Sequence, residues 1–139
     1  MRQGLANPAP DYVFFGATPL DFIKAHFFVS NASPVVTATT AAIRNQDPCG
    51  DILSYNAAVA TNLANVDEID VPAFVLIGAQ DAIYPVPAST QAALLTGSDD
   101  VTAVTLPATG HAVTLHRTAD EFQLAVSRWL DSRGFGDAR

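Results

Sequence analysis

A chain of 139 residues is about the length of one domain, long enough to close a single hydrophobic core. Seven Lys and Arg stand against 14 Asp and Glu, a net charge of −7, and only 15% of the residues are charged while 49% are apolar; an average soluble domain carries ~25% charged residues, so little is available here to cover a whole outer surface. Seven scattered cations form no basic stripe, which excludes a nucleic-acid footprint, and this hydrophobicity excludes a disordered chain.

The first ten residues, Met1 to Pro10, carry a positive charge but no apolar h-region, and no run approaches ~18 consecutive apolar residues, so neither export nor membrane spanning is expected. One cysteine, Cys49, makes no internal disulfide and points to a reducing compartment; a soluble cytoplasmic protein is the expectation. Up to residue 66 the punctuation is that of short helices. Thr18-Pro19 and Ser33-Pro34 each pair an N-cap residue with proline at the first helical position, where its absent N–H is no loss. Asp51 reads as a third N-cap ahead of Ile52, Tyr55, Val59, Leu63 and Val66, which fall on one helical face, and Asp47-Pro48-Cys49-Gly50 reads as the turn before it.

From residue 67 the pattern alternates. Val71 to Ile77 is a continuous apolar, β-branched run closed by Gly78, as expected of a strand buried on both faces in a parallel sheet. A helix is predicted from about Ala88 to Thr96, stopped by Gly97, and a second strand from Val101 to Leu106, closed by Pro107. The last helix opens on a capping box, Thr118 with Glu121, places Phe122, Val126, Trp129 and Leu130 on one face, and ends at Gly134. This βαβα order implies a parallel sheet of the α/β class with a right-handed crossover, and two strands read as part of a larger sheet.

In open α/β sheets chemistry collects at the carboxyl ends of the strands. Past the first strand comes Gly78-Ala79-Gln80-Asp81; past the second comes Pro107-Ala108-Thr109-Gly110-His111. Adjacent strands thus bring a carboxylate and an imidazole to one sheet edge, the two supporting members of a hydrolytic triad. Here the sequence resembles a family. Val71 to Pro85 looks like the penultimate strand and acid loop of the α/β-hydrolase fold, and Leu106 to His111 with the terminal amphipathic helix resembles its histidine loop and last helix. The resemblance implies Asp81 as triad acid and His111 as general base. It also implies a division into a helical cap-like segment, 1-66, and a C-terminal βαβα part of the hydrolase core, 67-139. The family's Gly-x-Ser-x-Gly nucleophile turn is absent, and so is the oxyanion loop. The expectation is therefore the C-terminal part of a cofactor-independent hydrolase acting on an ester-like bond, inactive alone and completed by an N-terminal core or a partner chain. Two other readings are a non-catalytic interaction module that pairs its open sheet edge with another chain, and part of a dehalogenase or epoxide hydrolase with an aspartate nucleophile.

The remaining chemistry-bearing residues read as structural. His116, five residues beyond His111, reads as a surface or loop-packing residue, and His26, among Phe22, Ile23, Phe27 and Phe28, as core, with the lining of an acyl pocket second. Cys49 has no base near it in sequence and reads as structural. No His, Cys or carboxylate cluster has metal spacing, and no glycine-rich phosphate loop follows a strand, so no metal or cofactor is implied. Tyr12, Phe14, Phe15, Phe27, Phe28, Tyr84 and Pro85 could wall a site for a small apolar ester-like substrate, neutral rather than charged.

Overall fold

The computed structural model describes residues 11–135. The N-terminal decapeptide read for an export signal and the last four residues of the 67–139 segment lie outside them. Two small sheets organise the chain. In the first, β1 (Tyr12–Phe14) pairs antiparallel with β2 (Gln46–Pro48), Val13 opposite Asp47. Between them run α1 (Pro19–His26) and α2 (Pro34–Ala42), and β2 leads directly into α3 (Cys49–Asn65). The second sheet is the predicted parallel pair, β3 (Ala73–Gly78) and β4 (Val101–Leu106), in register from Ala73–Val101 to Gly78–Leu106 and linked through α4 (Ala88–Ala92). Helix α5 (Ala119–Asp131) follows β4. Mixed helices and strands with a parallel pair fit the α/β class. No helix among the described residues is long and apolar enough to cross a membrane.

Local chemistry explains most of the boundaries. Thr18 caps α1 through a full capping box: its hydroxyl accepts from the Asp21 N–H and the Asp21 carboxylate accepts from the Thr18 N–H, with Pro19 at the first position. Ser33 stands at the N-cap of α2 without a side-chain bond, so Pro34 alone marks that start. Helix α5 ends on Gly134 at φ 78°, with the Phe135 N–H on the Leu130 carbonyl and the Gly134 N–H on the Asp131 carbonyl, the paired bonds of a Schellman stop.

Four expectations about helix and turn boundaries are corrected. Asp51 is not an N-cap: Pro48 takes that place, the helix begins at Cys49, and Asp51 lies in its first turn, where a carboxylate still favours the helix dipole. The 47–50 turn is replaced by a strand residue running into a helix, because Asp47 and Pro48 are held by β1 and the Cys49 N–H by the Asp11 carbonyl at 2.8 Å. Helix α4 stops at Ala92, four residues before Thr96; beyond it the Leu94, Leu95 and Ser98 N–H groups bond three residues back, so tight turns replace the helix. The Thr118–Glu121 capping box does not form, since the Thr118 hydroxyl is engaged elsewhere, with Thr109.

The parallel pair is covered on both faces, but thinly. The Ala88 N–H donates to the Thr105 hydroxyl at 3.1 Å, so the Thr105 face meets α4. Phe74 lies 5.6 Å from the Trp129 ring of α5; its partner Thr102 is three residues before Thr105 and so points the other way. Full burial is reached only at the carboxyl end of β3, at Ile77 and Gly78, and Ala73 to Leu76 stay half-buried, short of the strand buried on both faces that the sequence suggests. A Cβ on Gly78 would stand 2.3 Å from the Thr109 carbonyl oxygen and 2.5 Å from that of Gly110, so only glycine lets the loop after β4 close over the end of β3. Gly78→Ala should therefore lower stability by about 1–3 kcal/mol, the range of core overpacking, read as a reduced urea midpoint at unchanged slope. An unchanged midpoint would show that the loop does not press on this position.

Candidate functional site

The carboxyl ends of β3 and β4 project two loops that clasp each other. The Ala79 N–H donates to the Leu106 carbonyl at 2.8 Å, the Gln80 N–H to the Thr109 carbonyl at 2.9 Å, and the Thr109 N–H to the Gln80 side-chain oxygen at 2.9 Å. Thr109 is fully buried, its hydroxyl on the Pro107 carbonyl at 2.8 Å and on the Thr118 hydroxyl at 2.7 Å. Ala108, just before it, takes φ 50°, a left-handed conformation unusual for alanine, which turns the chain so that Gly110 and His111 fold back over the acid loop.

Asp81 and His111 meet across this clasp. Asp81 is buried at 8% exposure, and its Oδ1 accepts the N–H groups of Ile83 at 2.9 Å and Tyr84 at 2.8 Å. Its Oδ2 faces His111 Nδ1 at 2.8 Å. A carboxylate accepts and cannot donate when ionised, so this contact fixes the Nδ1–H tautomer and leaves Nε2 with its lone pair. The two partners differ in access: the carboxylate is enclosed, whereas the His111 side chain is 42% exposed.

His111 opens on a cleft of about 490 Å³ lined also by Phe15, Phe22, His26, Ile83 and Arg44. Of the residues expected to wall a substrate site, Phe15 lines this cleft, Pro85 lines with Asp81 a smaller cavity of about 340 Å³, and Phe27 is buried. Tyr12 and Tyr84 are exposed, and Phe14 lies under the Arg44 guanidinium, whose carbon is 4.4 Å from the ring centre. His26 belongs to the cleft. Its Nδ1–H donates to the Phe22 carbonyl at 2.9 Å, its ring stacks on Phe22, and it stands edge-on to His111 with ring centres 5.7 Å apart. The only hydroxyl lining the cleft among the described residues, that of Thr40, donates to the Val36 carbonyl at 2.8 Å. Cys49 is at the start of α3 and does not line it. Among the described residues no group of three or more His, Cys, Asp or Glu could hold a metal ion.

The third histidine has a different part. His116 is 4% exposed, which removes the surface reading and keeps the loop-packing one. Its Nδ1–H donates to the Ala112 carbonyl at 2.8 Å, and its Nε2 accepts from the Phe28 N–H at 2.9 Å and the Gly110 N–H at 3.1 Å. Around it the Ala112 N–H reaches the His26 carbonyl, the Arg117 N–H the Asn31 carbonyl, and the Asn31 amide the Ala108 carbonyl. Segment 26–32 is thereby fixed to the loop that carries His111. Gly110 permits the approach: a Cβ there would lie 2.6 Å from the Phe28 nitrogen.

Sequence reasoning passed over Gln80, Arg44 and the double acceptor role of His116. Gln80 could be suspected from its place beside Asp81; nothing in the local pattern singles out Arg44, which reaches the cleft only through the β1–β2 pairing.

The two histidines predict opposite outcomes. Removing a buried acceptor strands its donors at ~1–3 kcal/mol each, so His116→Ala should lose at least ~2 kcal/mol of stability, while His111→Gln, half exposed, should change the urea midpoint little. Equal effects would overturn this division. The Asp81–His111 bond predicts a downfield Nδ1 proton resonance in the native chain that disappears in Asp81→Ala; its persistence would place the proton elsewhere.

Comparison with protein-family models, with curated proteins and with solved structures finds no match to this chain, so the case for a function rests on the dyad, the clasp and the cleft.

Proposed function

We propose that this chain is the cap-like and C-terminal part of an α/β-hydrolase-type enzyme that cleaves an ester-like bond, with His111 as general base and Asp81 as the acid that orients it. The observation that carries this reading is the 2.8 Å contact from buried Asp81 to the Nδ1 of His111, at the carboxyl ends of neighbouring parallel strands and at the edge of a cleft. A carboxylate saturated by two backbone N–H groups and one imidazole stays fixed while the ring it holds turns its second nitrogen outward.

His111 Nε2 then accepts the proton of a serine hydroxyl as the serine oxygen attacks the substrate carbonyl. The imidazolium formed is stabilised by Asp81 and returns the proton to the leaving oxygen as the C–O bond breaks; water repeats the sequence on the acyl-serine and releases the acid. On this reading the serine and the oxyanion donors come from a core segment outside these 139 residues, because the sequence holds no Gly-x-Ser-x-Gly turn and, among the described residues, the one hydroxyl that lines the cleft, that of Thr40, is bonded to the Val36 carbonyl. That segment would also extend the sheet, in which β3 and β4 each have one strand neighbour among the described residues.

A fluorophosphonate probe for activated serines should leave the isolated chain unlabelled and should label the polypeptide extended through its upstream reading frame. In that longer protein His111→Ala should abolish labelling and Asp81→Asn should lower ester turnover by about 10⁴-fold, the loss expected when the tautomer-fixing acid of a serine triad is removed. Labelling of the isolated chain, or full turnover in the His111→Ala protein, would overturn the assignment.

A further inference from the structure

Three buried side-chain nitrogens among the described residues have no hydrogen-bond partner: Nε of Arg44, Nε1 of Trp129 and Nε of Arg133. Arg44 alone of these lines the cleft that holds His111. Its guanidinium is held in place rather than left to roam. Phe14 lies beneath it at 4.4 Å, and Nη1 donates to the Ala41 carbonyl at 2.7 Å. A guanidinium remains charged at any physiological pH and presents a planar fork that matches a carboxylate. Yet the ion pairs among the described residues are those of His111 with Asp81 and of Arg133 with Asp100, and Arg44 is in neither. A cation fixed on an aromatic ring at the cleft, in no ion pair among the described residues, is an incomplete recognition element; its enclosed Nε is closed to a ligand, so the terminal Nη groups would carry the contact.

Resting on the hydrolase reading of the same cleft, we infer that Arg44 receives a carboxylate at the end of the substrate remote from the bond cleaved at His111. The substrate class is a small amphipathic ester with one anionic end. The walls between the two ends fit such a body: Phe15, Phe22, Ile43 and Ile83 are apolar, and about 490 Å³ admits a short aryl or alkyl chain. Asp47 also lines the cleft and opposes an anion. Its carboxylate would exclude ligands that cannot reach the guanidinium, which sharpens selection for a carboxylate placed at Arg44. This differs from the neutral ester-like substrate that the apolar residues of the sequence suggest.

The test is binding to the full 139-residue chain, by calorimetry or ligand-observed NMR, of 4-phenylbutyrate against its neutral isostere 4-phenylbutanamide. The carboxylate should bind about tenfold more tightly, and the preference should fall below about twofold in Arg44→Met. His111→Gln should keep it, which separates recognition by Arg44 from recognition by a protonated imidazole. Asp47→Asn should raise affinity for the carboxylate and leave that for the amide unchanged. Equal binding of the two probes, binding of neither, or a preference that follows His111 instead of Arg44 overturns the inference. Should Arg44→Met fail to fold, Arg44→Lys carries the test: the lysine keeps the charge without the fork, so the preference should be at least halved, and an unchanged preference counts against Arg44. The hydrolase reading fails separately, through the serine-probe experiment, and that result would leave this binding preference as measured.

Discussion

His116 is the constraint on which the rest of the arrangement depends. Its imidazole, enclosed between segment 26–32 and the loop after β4, uses both nitrogens on backbone groups: Nδ1–H on the Ala112 carbonyl, Nε2 on the Phe28 and Gly110 N–H groups. Loops seldom bury their backbone, because each N–H or carbonyl taken from water must find a partner. One neutral imidazole supplies donor and acceptor at the same point, and so permits two irregular segments far apart in sequence to close on each other. The antiparallel bridge between Ala32 and His116 extends that closure by a backbone contact. Without the imidazole the Phe28 and Gly110 N–H groups would lose their acceptor, and the loop that carries His111 would be left with its ties to Gln80, Asn31, Thr118 and the His26 carbonyl.

With that anchor in place, the division of labour between Asp81 and His111 follows from access. The clasp of Gln80 with Thr109 brings the two loops together, and Gly78 and Gly110 let them pass at distances no side chain would allow. The acid ends inside, satisfied on both oxygens; the imidazole ends at the mouth of a cleft. A carboxylate buried with three donors has little freedom to reorient, and its fixed position holds the His111 ring with Nε2 turned away from Asp81. The cleft wall comes from the other half of the chain, through α1 and the turn into β2, so the groups that would react and the groups that would select lie on different segments joined by His116.

The low charge and high apolar content of the sequence have a structural counterpart. Seven apolar residues are buried among the described ones, while fifteen large apolar side chains are exposed, several of them on α3, where Leu53 is 84% and Leu63 54% exposed. A two-stranded parallel pair offers only one inner boundary between strands, and one helix on each face cannot enclose it. The resulting core is thin and is supported by polar ties in the loops more than by packing.

Elements with strong local rules were legible in the sequence. The strand from Val101 to Leu106 matches residue for residue, the α1 start is set by Thr18 and Pro19, and Gly134 stops α5 by a backbone conformation that favours glycine. The order strand, acid loop, helix, strand, histidine loop likewise fixes that Asp81 and His111 arrive at the same sheet edge, since parallel strands leave their carboxyl ends together. Tertiary contacts decided what local rules could not. Thr118 bonds Thr109 in place of capping α5, β1 captures Asp47 and Pro48 before they can form a turn, and α4 is cut to five residues. His116 and Arg44 gain their roles through residues distant in the chain, Phe28 for the first and Phe14 for the second, beside bonds to near neighbours. A side chain's own propensity sets which backbone shapes it tolerates, whereas its partners, and hence its chemistry, are set by what folding brings within 3 Å of it.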